Sequence, residues 1–323
     1  MMPSFSYVRA GTLDKAVEAL SRDGACLHAG GTDLVGCLRD GILDPAVVVS
    51  ISRLKELAGI RQTAEGGLEI GAMTTIHAVS QSPAVQSGYP ALAMAAAAVG
   101  SPQLRHQGTI GGNLCQKPRC WYYRGDFPCL RKGGDLCYAV DGENAHHCIL
   151  GGENCYIVHP SDTAPALAAL GAIAVITGPD GRRSVPVAAF HVPPSDDYMK
   201  ETVLGPGEIL TGIRLPPPPD GLRSLYRKVR ARRAWDFALA GAAVALQSRN
   251  GRTAQCRIFL SGAAPVPYRA AEAEAILVGK ALDEQTIAEA ARAAVKDAAP
   301  MSGNGYKVPM FIGVIESVLG EMA

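Results

Sequence analysis

The sequence has almost no net charge and no long apolar run. Its 323 residues carry 31 Lys and Arg against 30 Asp and Glu, which gives a net charge of +1. Because nucleic acids and anionic membranes attract strongly basic proteins, this balance gives no electrostatic support for either partner. An apolar run such as MAAAAV around Met94 is too short and too rich in alanine to span a membrane. We therefore expect a chain that binds neither nucleic acid nor a membrane.

The chain also lacks a recognisable targeting segment. Its first residues, MMPSFSYVRAGTL, have neither a basic start nor an apolar centre, so we expect no signal peptide. This predicts a cytoplasmic protein, or a periplasmic one if it is exported with a partner that bears the signal. In a reducing cytosol, clustered cysteines indicate metal binding more often than disulfides.

Several common catalytic and nucleotide-binding motifs are missing. The sequence contains no GxSxG, no HExxH, no GxGxxG and no P-loop. Its carboxylate pairs have no supporting context, and no lone Cys/His pairing stands out. This absence favours a subunit whose chemistry belongs to its cofactors.

Cysteine is concentrated in one stretch of the chain, since six of the nine cysteines fall between Cys115 and Cys155. That stretch is polar in the middle and shows no helical or strand period, so it cannot bury enough apolar surface to fold alone. A metal or disulfides must hold it. It has no C-x2-C pair of the kind common in zinc sites, and it is not the C-x2-C-x2-C run of ferredoxins. Spacing alone therefore leaves a cluster, zinc and disulfides open.

Two glycine-rich segments favour a shared anionic ligand. A strand predicted at 25–29 ends in Gly30 and Gly31, and a helix is predicted at 34–39. Glycines at such a turn let backbone amides point inward, and a helix N-terminus adds partial positive charge. We predict the second segment, SPQLRHQGTIGGNL at 101–114, as a loop whose polar side chains donate to phosphate or ribityl oxygens. Either segment alone could be a simple turn.

The remaining pattern predicts an α+β fold in two parts. The first part has strands expected at 4–8, 46–51 and 68–72, helices at 12–20 and 89–99, and a hairpin over 172–187. A proline-rich boundary at 216–219 follows. The second part has strands expected at 224–230, 238–247 and 254–261, then helices at 270–278, 284–296 and 307–319. We expect the two domains to cover residues 1–219 and 220–323.

Several motifs connect this pattern to a known family. AGGTDL, QLRHQGTIGGNL and VHPSDTAPAL occur in this order, followed by YRKVR at 226–230 and DFALA at 236–240. Together they resemble the FAD-binding subunits of the molybdenum hydroxylases, which include xanthine dehydrogenase and the aldehyde oxidoreductases. The resemblance covers nearly the whole chain. It implies a two-part FAD-binding domain of the PCMH type at 1–219, followed by a small antiparallel sheet with helices at 220–323.

The cysteine-rich stretch resembles an insertion that carries a [4Fe-4S] cluster in two relatives. They are the flavin subunits of bacterial aldehyde oxidoreductase and of 4-hydroxybenzoyl-CoA reductase, and the first is the more similar. The resemblance places the insertion at 115–158 and implies ligation by Cys120, Cys129, Cys137 and Cys155. It omits Cys115 and Cys148, where relatives carry apolar or small residues. Cys148 remains the rival for the fourth ligand.

Basic residues accompany these cysteines in the sequence. They are Arg119, Arg124, Arg131 and Lys132. They could form an ordinary solvated loop, or they could lower thiolate pKa values and offset the charge of a cluster.

The resemblance also implies which residues hold FAD. They are Cys26, Leu27, His28, Ala29, Gly30, Gly31, Thr32, Asp33, Leu34, Thr109, Gly111, Gly112, Asn113, Asp162 and Lys228. Asp162 would accept a hydrogen bond from the cofactor, although a residue before a predicted helix can also be a simple N-cap. Lys228 would reach the flavin from the second domain, or be an ordinary exposed strand lysine.

The function implied is electron transfer inside a molybdenum hydroxylase. A large partner subunit would oxidise substrate at a molybdenum cofactor, and a small partner would relay electrons through [2Fe-2S] clusters. FAD in this chain would pass them to an external acceptor, with an aldehyde as the expected substrate. The alternatives are a 4-hydroxybenzoyl-CoA reductase-like subunit with reversed electron flow, a stand-alone flavoprotein oxidase, and a non-enzymatic metal-binding protein.

Overall fold

A computed structural model of the chain describes residues 2–323. The chain begins with a small parallel sheet in the strand order β1-β3-β2, whose elements are β1 (Ser6–Arg9), α1 (Leu13–Leu20), β2 (Ala25–His28), α2 (Leu34–Arg39) and β3 (Val47–Ser50). The Thr12 hydroxyl caps α1 by accepting from the Lys15 amide. The strands and helices predicted for this region are confirmed.

The second layer is a five-stranded antiparallel sheet in the order β4-β5-β8-β6-β7. Its strands are β4 (Ile60–Gln62), β5 (Leu68–Gly71), β6 (Ile173–Gly178), β7 (Gly181–Pro186) and β8 (Ile209–Leu215). The helices of this region are α3 (Ile76–Gln81), α4 (Pro83–Gly88), α5 (Pro90–Ala98), α6 (Pro102–Gln107), α7 (Ile110–Leu114), α9 (Thr163–Ala169) and α10 (Pro194–Asp197). Ile70, Leu92 and Leu167 are fully buried between sheet and helices. The predicted hairpin is confirmed as β6 and β7.

The glycine-rich segment 101–114 differs from its prediction, because it forms the short helices α6 and α7 instead of a loop. Ser101 caps α6, Pro102 occupies its first turn, and Thr109 caps α7. Runs of six and five residues are too short to display a 3.6-residue apolar period. The caps were the signal available in the sequence.

The cysteine-rich insertion at 115–158 contains one short helix, α8 (Trp121–Arg124), and a 3-10 turn at Leu130–Lys132. The rest is irregular, as the absence of a period indicated. Its later part lies against the C-terminal region, since the amides of Ile149 and Leu150 donate to the Ala263 carbonyl. Both side chains join the C-terminal core. The insertion thus packs on its neighbours although it has little core of its own.

The C-terminal region is a four-stranded antiparallel sheet in the order β12-β11-β10-β9, covered by helices. Its elements are β9 (Leu222–Val229), β10 (Ala240–Arg249), β11 (Arg252–Ser261), β12 (Tyr268–Arg269), α11 (Ala271–Leu277), α12 (Glu284–Ala293) and α13 (Lys307–Glu321). These agree with the predicted strands and helices, and the α+β class is confirmed. No helix within residues 2–323 has both the length and the apolar character needed to cross a membrane.

Candidate functional site

The two glycine-rich segments meet at Gly30. A Cβ on Gly30 would lie 2.2 Å from the carbonyl oxygen of Gln107, so only glycine allows this approach. The Gln107 side chain returns a hydrogen bond to the Gly30 carbonyl at 3.0 Å. Gly31 adopts φ +74°, which also favours glycine. Segments about eighty residues apart in sequence therefore form one continuous wall.

The second glycine-rich segment, at 101–114, is hydrogen-bonded to the start of helix α9, which follows the insertion. The Thr109 hydroxyl accepts from the Gly112 amide at 3.1 Å. The side-chain oxygen Oδ1 of Asn113 accepts from the hydroxyls of Ser161 and Thr163 at 2.6 and 2.7 Å. Gly111 is a second close approach, because its added Cβ would lie 2.8 Å from that of Ala72. The Asn113 side chain is thus held by two hydroxyls at the start of α9.

A first cleft, of about 1040 Å³, lies along these segments, and we call it the loop cleft. Eleven predicted residues line it, namely Cys26, Leu27, Ala29, Gly30, Gly31, Thr32, Asp33, Leu34, Thr109, Gly111 and Gly112. His28 does not line it. The His28 ring instead contacts the Ser50 hydroxyl at 3.3 Å and lies against Gly31.

Two further clefts adjoin the loop cleft. The central cleft, of about 960 Å³, shares Thr32, Asp33, Thr109, Gly112 and Gln116 with it and adds Asn113 and Asp162. The outer cleft, of about 1210 Å³, shares Arg119, Pro160, Asp162, Asp236 and Phe237 with the central cleft. The three clefts therefore adjoin one another in a row that runs from the first glycine segment to the C-terminal sheet.

Asp162 lies where the central and outer clefts join. It occupies the N-cap position of α9, yet its side chain makes no capping hydrogen bond. The Ser161 hydroxyl instead accepts from the Ala164 amide at 3.0 Å. The alternative that Asp162 is a simple N-cap is therefore wrong.

Asp162 is held by residues of the C-terminal sheet. Lys228 Nζ donates to its Oδ2 at 2.7 Å, and the Tyr226 hydroxyl donates to its Oδ1 at 2.8 Å. Burial raises the pKa of Asp162, and the Lys228 ammonium opposes this without cancelling it. The Lys228 side chain is 3% exposed, so it is not an ordinary surface lysine. Lys228 lines none of the clefts and acts through Asp162 instead, whereas Tyr226 was not predicted as a site residue.

Asp33 joins the first glycine segment to the insertion. Its carboxylate accepts from Arg124 Nη2 at 2.8 Å, from the Lys117 amide at 2.7 Å, and from Arg119. Burial alone would raise the pKa of Asp33, but the charges and hydrogen bonds of the two arginines outweigh it and lower the pKa. Arg131 likewise pairs with Glu201 at 2.6 Å. These arginines therefore do not form a solvated loop, and each one pairs with a carboxylate.

The four predicted ligand cysteines line one small cavity, which we call the cysteine cavity. These are Cys120, Cys129, Cys137 and Cys155. Cys148 and Cys115 do not line it, and Cys148 lies beside Gly152 instead. All nine cysteines are free, with no disulfide among them. Burial, with smaller effects from Cys155 and Cys137, raises the pKa of the Cys120 thiol to about 11.

Within residues 2–323, no three His, Cys, Asp or Glu side chains are grouped as ligands of a single metal ion. The cysteine cavity nevertheless has four thiols around it.

His147 forms part of the wall between the cysteine cavity and the outer cleft. Its Nε2 lies 3.3 Å from Cys120 Sγ. Burial, with a smaller effect of Lys307, lowers the pKa of His147 to about 4, so the imidazole is neutral near pH 7. Its neighbour His146 is exposed.

Comparison with known proteins agrees with this architecture. Residues 3–218 match the FAD binding domain in molybdopterin dehydrogenase, and residues 224–310 match the CO dehydrogenase flavoprotein C-terminal domain. The chain therefore belongs to the family of FAD-binding subunits of the molybdenum hydroxylases, and it is a subunit of an FAD-containing oxidoreductase. The resemblance recognised in the sequence is confirmed.

Individual relatives cover almost the entire chain. The FAD-binding subunit of the aldehyde oxidoreductase of Escherichia coli is 35% identical, over 99% of this chain and 98% of that one. The carbon monoxide dehydrogenase medium chain of Hydrogenophaga pseudoflava is 32% identical over 91% of this chain and 86% of its own length. A solved structure of that dehydrogenase superposes with a TM-score of 0.79 at 30% identity, covering 99% and 97% of the two chains.

Proposed function

We propose that this chain is the flavin and iron–sulfur electron-transfer subunit of a molybdenum hydroxylase. Its partners are a large subunit with the molybdenum cofactor and a small subunit with [2Fe-2S] clusters. The substrate class we propose is an aldehyde, because the Escherichia coli relative named as an aldehyde oxidoreductase subunit aligns over both chains almost completely. We also propose the division into domains at 1–219 and 220–323.

The row of three adjoining clefts supports FAD as the resident cofactor. FAD is a long molecule, and the three clefts together provide a correspondingly long surface. The loop cleft has glycines and backbone amides suited to the phosphate groups. Asp162, at the junction of the central and outer clefts, offers a buried carboxylate as a hydrogen-bond acceptor. Bound FAD supplies the chemistry that the chain's own residues lack, since it accepts electrons singly and releases them in pairs.

The observation that carries the iron–sulfur part of the proposal is the shared lining of the cysteine cavity. Four cysteines from four separate positions in an irregular segment converge on it, and the rival Cys148 stays outside. A [4Fe-4S] cluster needs four thiolates, and the presence of four cysteines on the lining of this one cavity supports the proposal. Cys120 lines both this cavity and the outer cleft, which supports a relay between the cluster and FAD.

The cofactor content of the purified protein tests the proposal. Protein purified anaerobically is analysed for iron, sulfide and flavin, together with C155S and C148S variants. We expect about four irons and one FAD per chain, with iron lost in C155S and retained in C148S. Zinc without iron, or the absence of flavin, would contradict the proposal. Co-purification of molybdenum and [2Fe-2S] subunits with the chain tests the proposed partners and separates this function from a stand-alone oxidase.

A further inference from the structure

Three residues separate the cysteine cavity from the outer cleft. Cys120, His147 and Ile157 line both volumes. Of these, only Cys120 and His147 carry heteroatoms in their side chains, and those atoms meet at 3.3 Å between Sγ and Nε2. This distance lies within hydrogen-bonding range for sulfur. The shared wall therefore contains one polar contact.

The direction of this hydrogen bond follows from the chemistry of the thiolate. A cysteine that ligates iron has lost its proton, so its sulfur can only accept. The proton of the contact must then belong to His147 Nε2. Nδ1 is buried and makes no hydrogen bond of standard geometry among the described residues, although the Asn144 backbone also contacts the ring. Among side chains, the Cys120 sulfur is the hydrogen-bond partner of the ring.

The position of His147 is fixed by the C-terminal region. Its carbonyl oxygen accepts from Lys307 Nζ at 2.9 Å and from Asn304 Nδ2 at 3.1 Å. His147 is buried, and its ring lies beside that of Tyr122 at 6.2 Å between centroids. Since the backbone is held from one side and the ring from another, the imidazole has little freedom to leave the sulfur.

We propose that His147 donates a hydrogen bond through Nε2–H to the Cys120 thiolate and thereby raises the reduction potential of the cluster. This rests on the function proposed above. A donor to a ligand sulfur stabilises negative charge, and the reduced cluster carries one more negative charge than the oxidised cluster. His147 is a positioning and tuning residue and does not ligate iron.

The test is the potential of the cluster in the complete complex, titrated with dithionite and followed by electron paramagnetic resonance. H147F removes the donor and keeps a planar ring, whereas H147Q retains a donor near the same position. H146F is the matched control, because His146 is exposed, lines the outer cleft but not the cysteine cavity, and contacts Trp121 only as a tilted ring pair at 6.1 Å. We expect H147F to disfavour reduction about ten-fold, a decrease of about 59 mV for a one-electron couple. H147Q and H146F should remain near the wild type.

A cluster of normal iron content with an unchanged potential in H147F would overturn this inference and leave the proposed function standing. Loss of iron in both H147F and H147Q would also overturn it, because His147 would then be a ligand. Wild-type protein without iron would overturn both proposals.

A second measurement does not depend on the folding of the variants. Electron–nuclear double resonance of the reduced wild type, labelled with 15N-histidine in D2O, should detect an exchangeable deuteron and a histidine nitrogen coupled to the cluster. The absence of both couplings would overturn the inference.

Discussion

Arg124 Nη2 lies 2.8 Å from Asp33 Oδ1, and this contact joins residues 91 positions apart. Arg124 belongs to the insertion, and Asp33 belongs to the first glycine segment. The same guanidinium also contacts Cys37 Sγ through Nη1 at 3.0 Å. The wall of the loop cleft and the cysteine-rich insertion are thus one connected structure.

The D33N variant should be less stable than the wild type by about 1.5–3 kcal/mol, since the hydrogen bonds it weakens involve charged partners. The pKa of Asp33 is lowered from its ordinary value of 3.8. Its contribution to the free energy of unfolding is therefore full above pH 3.8 and is lost as the pH falls through the lowered folded value. Urea unfolding at a series of acidic pH values measures this, and the difference between wild type and D33N should shrink at the acidic end. D40N is the control, because Asp40 pairs with the exposed Arg39 and should change stability by less than about 1 kcal/mol.

Replacing Lys228 alone should lower the free energy of unfolding more than replacing both Lys228 and Asp162. K228M leaves the Asp162 carboxylate buried without its cation, and such a change costs about 3–5 kcal/mol. In the double variant D162N/K228M no charge is left unpaired, so we expect part of that loss to be recovered. Equilibrium unfolding of the two single variants and the double variant measures the coupling. Additive effects would contradict the buried pair.

The G30A variant should release FAD. Its new Cβ would lie 2.2 Å from the Gln107 carbonyl oxygen, so the two glycine-rich segments must separate. Such overpacking costs about 1–3 kcal/mol, and we expect roughly ten-fold weaker FAD binding. Flavin fluorescence during dialysis measures retention. G36A is the matched control, because no atom lies within 4 Å of its added Cβ. Equal flavin loss from both variants would contradict a specific role of the close approach.

Lys307 should make stability rise at alkaline pH. Burial lowers its pKa from 10.5 to about 8, while Cys148 opposes the shift. Between these two values the unfolded chain binds the proton and the folded chain does not, so the free energy of unfolding increases with pH. The increase should reach roughly 3 kcal/mol, at 1.36 kcal/mol for each pKa unit. K307M lacks this titrating group. The free energy of unfolding of the wild type should therefore increase relative to that of K307M from pH 8 upwards. A constant difference would contradict the lowered pKa.

The sequence was sufficient for the parts of the fold that depend on local pattern. The strand before Gly30, the helix after it and the hairpin around Gly178 each have a short-range signal, and each forms where expected. The prediction of a loop at 101–114 was wrong, because the two helices that form there are too short to show an apolar period in the sequence. Their caps are also local signals, but single caps are common outside helices.

The residues of the candidate site that belong to family motifs could be predicted from the sequence. The ion pairs and hydrogen bonds between side chains that are distant in the sequence could not. Nothing in the pattern of β9 indicates that Lys228 and Tyr226 point at Asp162, more than sixty residues earlier. The pairing of Arg119 and Arg124 with Asp33 is equally hidden, because a charged residue in an irregular segment has no periodic signal. Such contacts depend on how the sheets and the insertion pack together.

The attachment of the insertion on both sides has a consequence for protein engineering and for evolution. Excising residues 115–158 would not yield a simpler flavoprotein. The carboxylates of Asp33 and Glu201 would lose their arginine partners, and Ala263 would lose the two amides that its carbonyl accepts. A shortened chain would need neutral replacements at both carboxylates and a new cover for the C-terminal sheet. Gain or loss of this segment is therefore a coordinated change at several distant positions, and a single deletion does not achieve it.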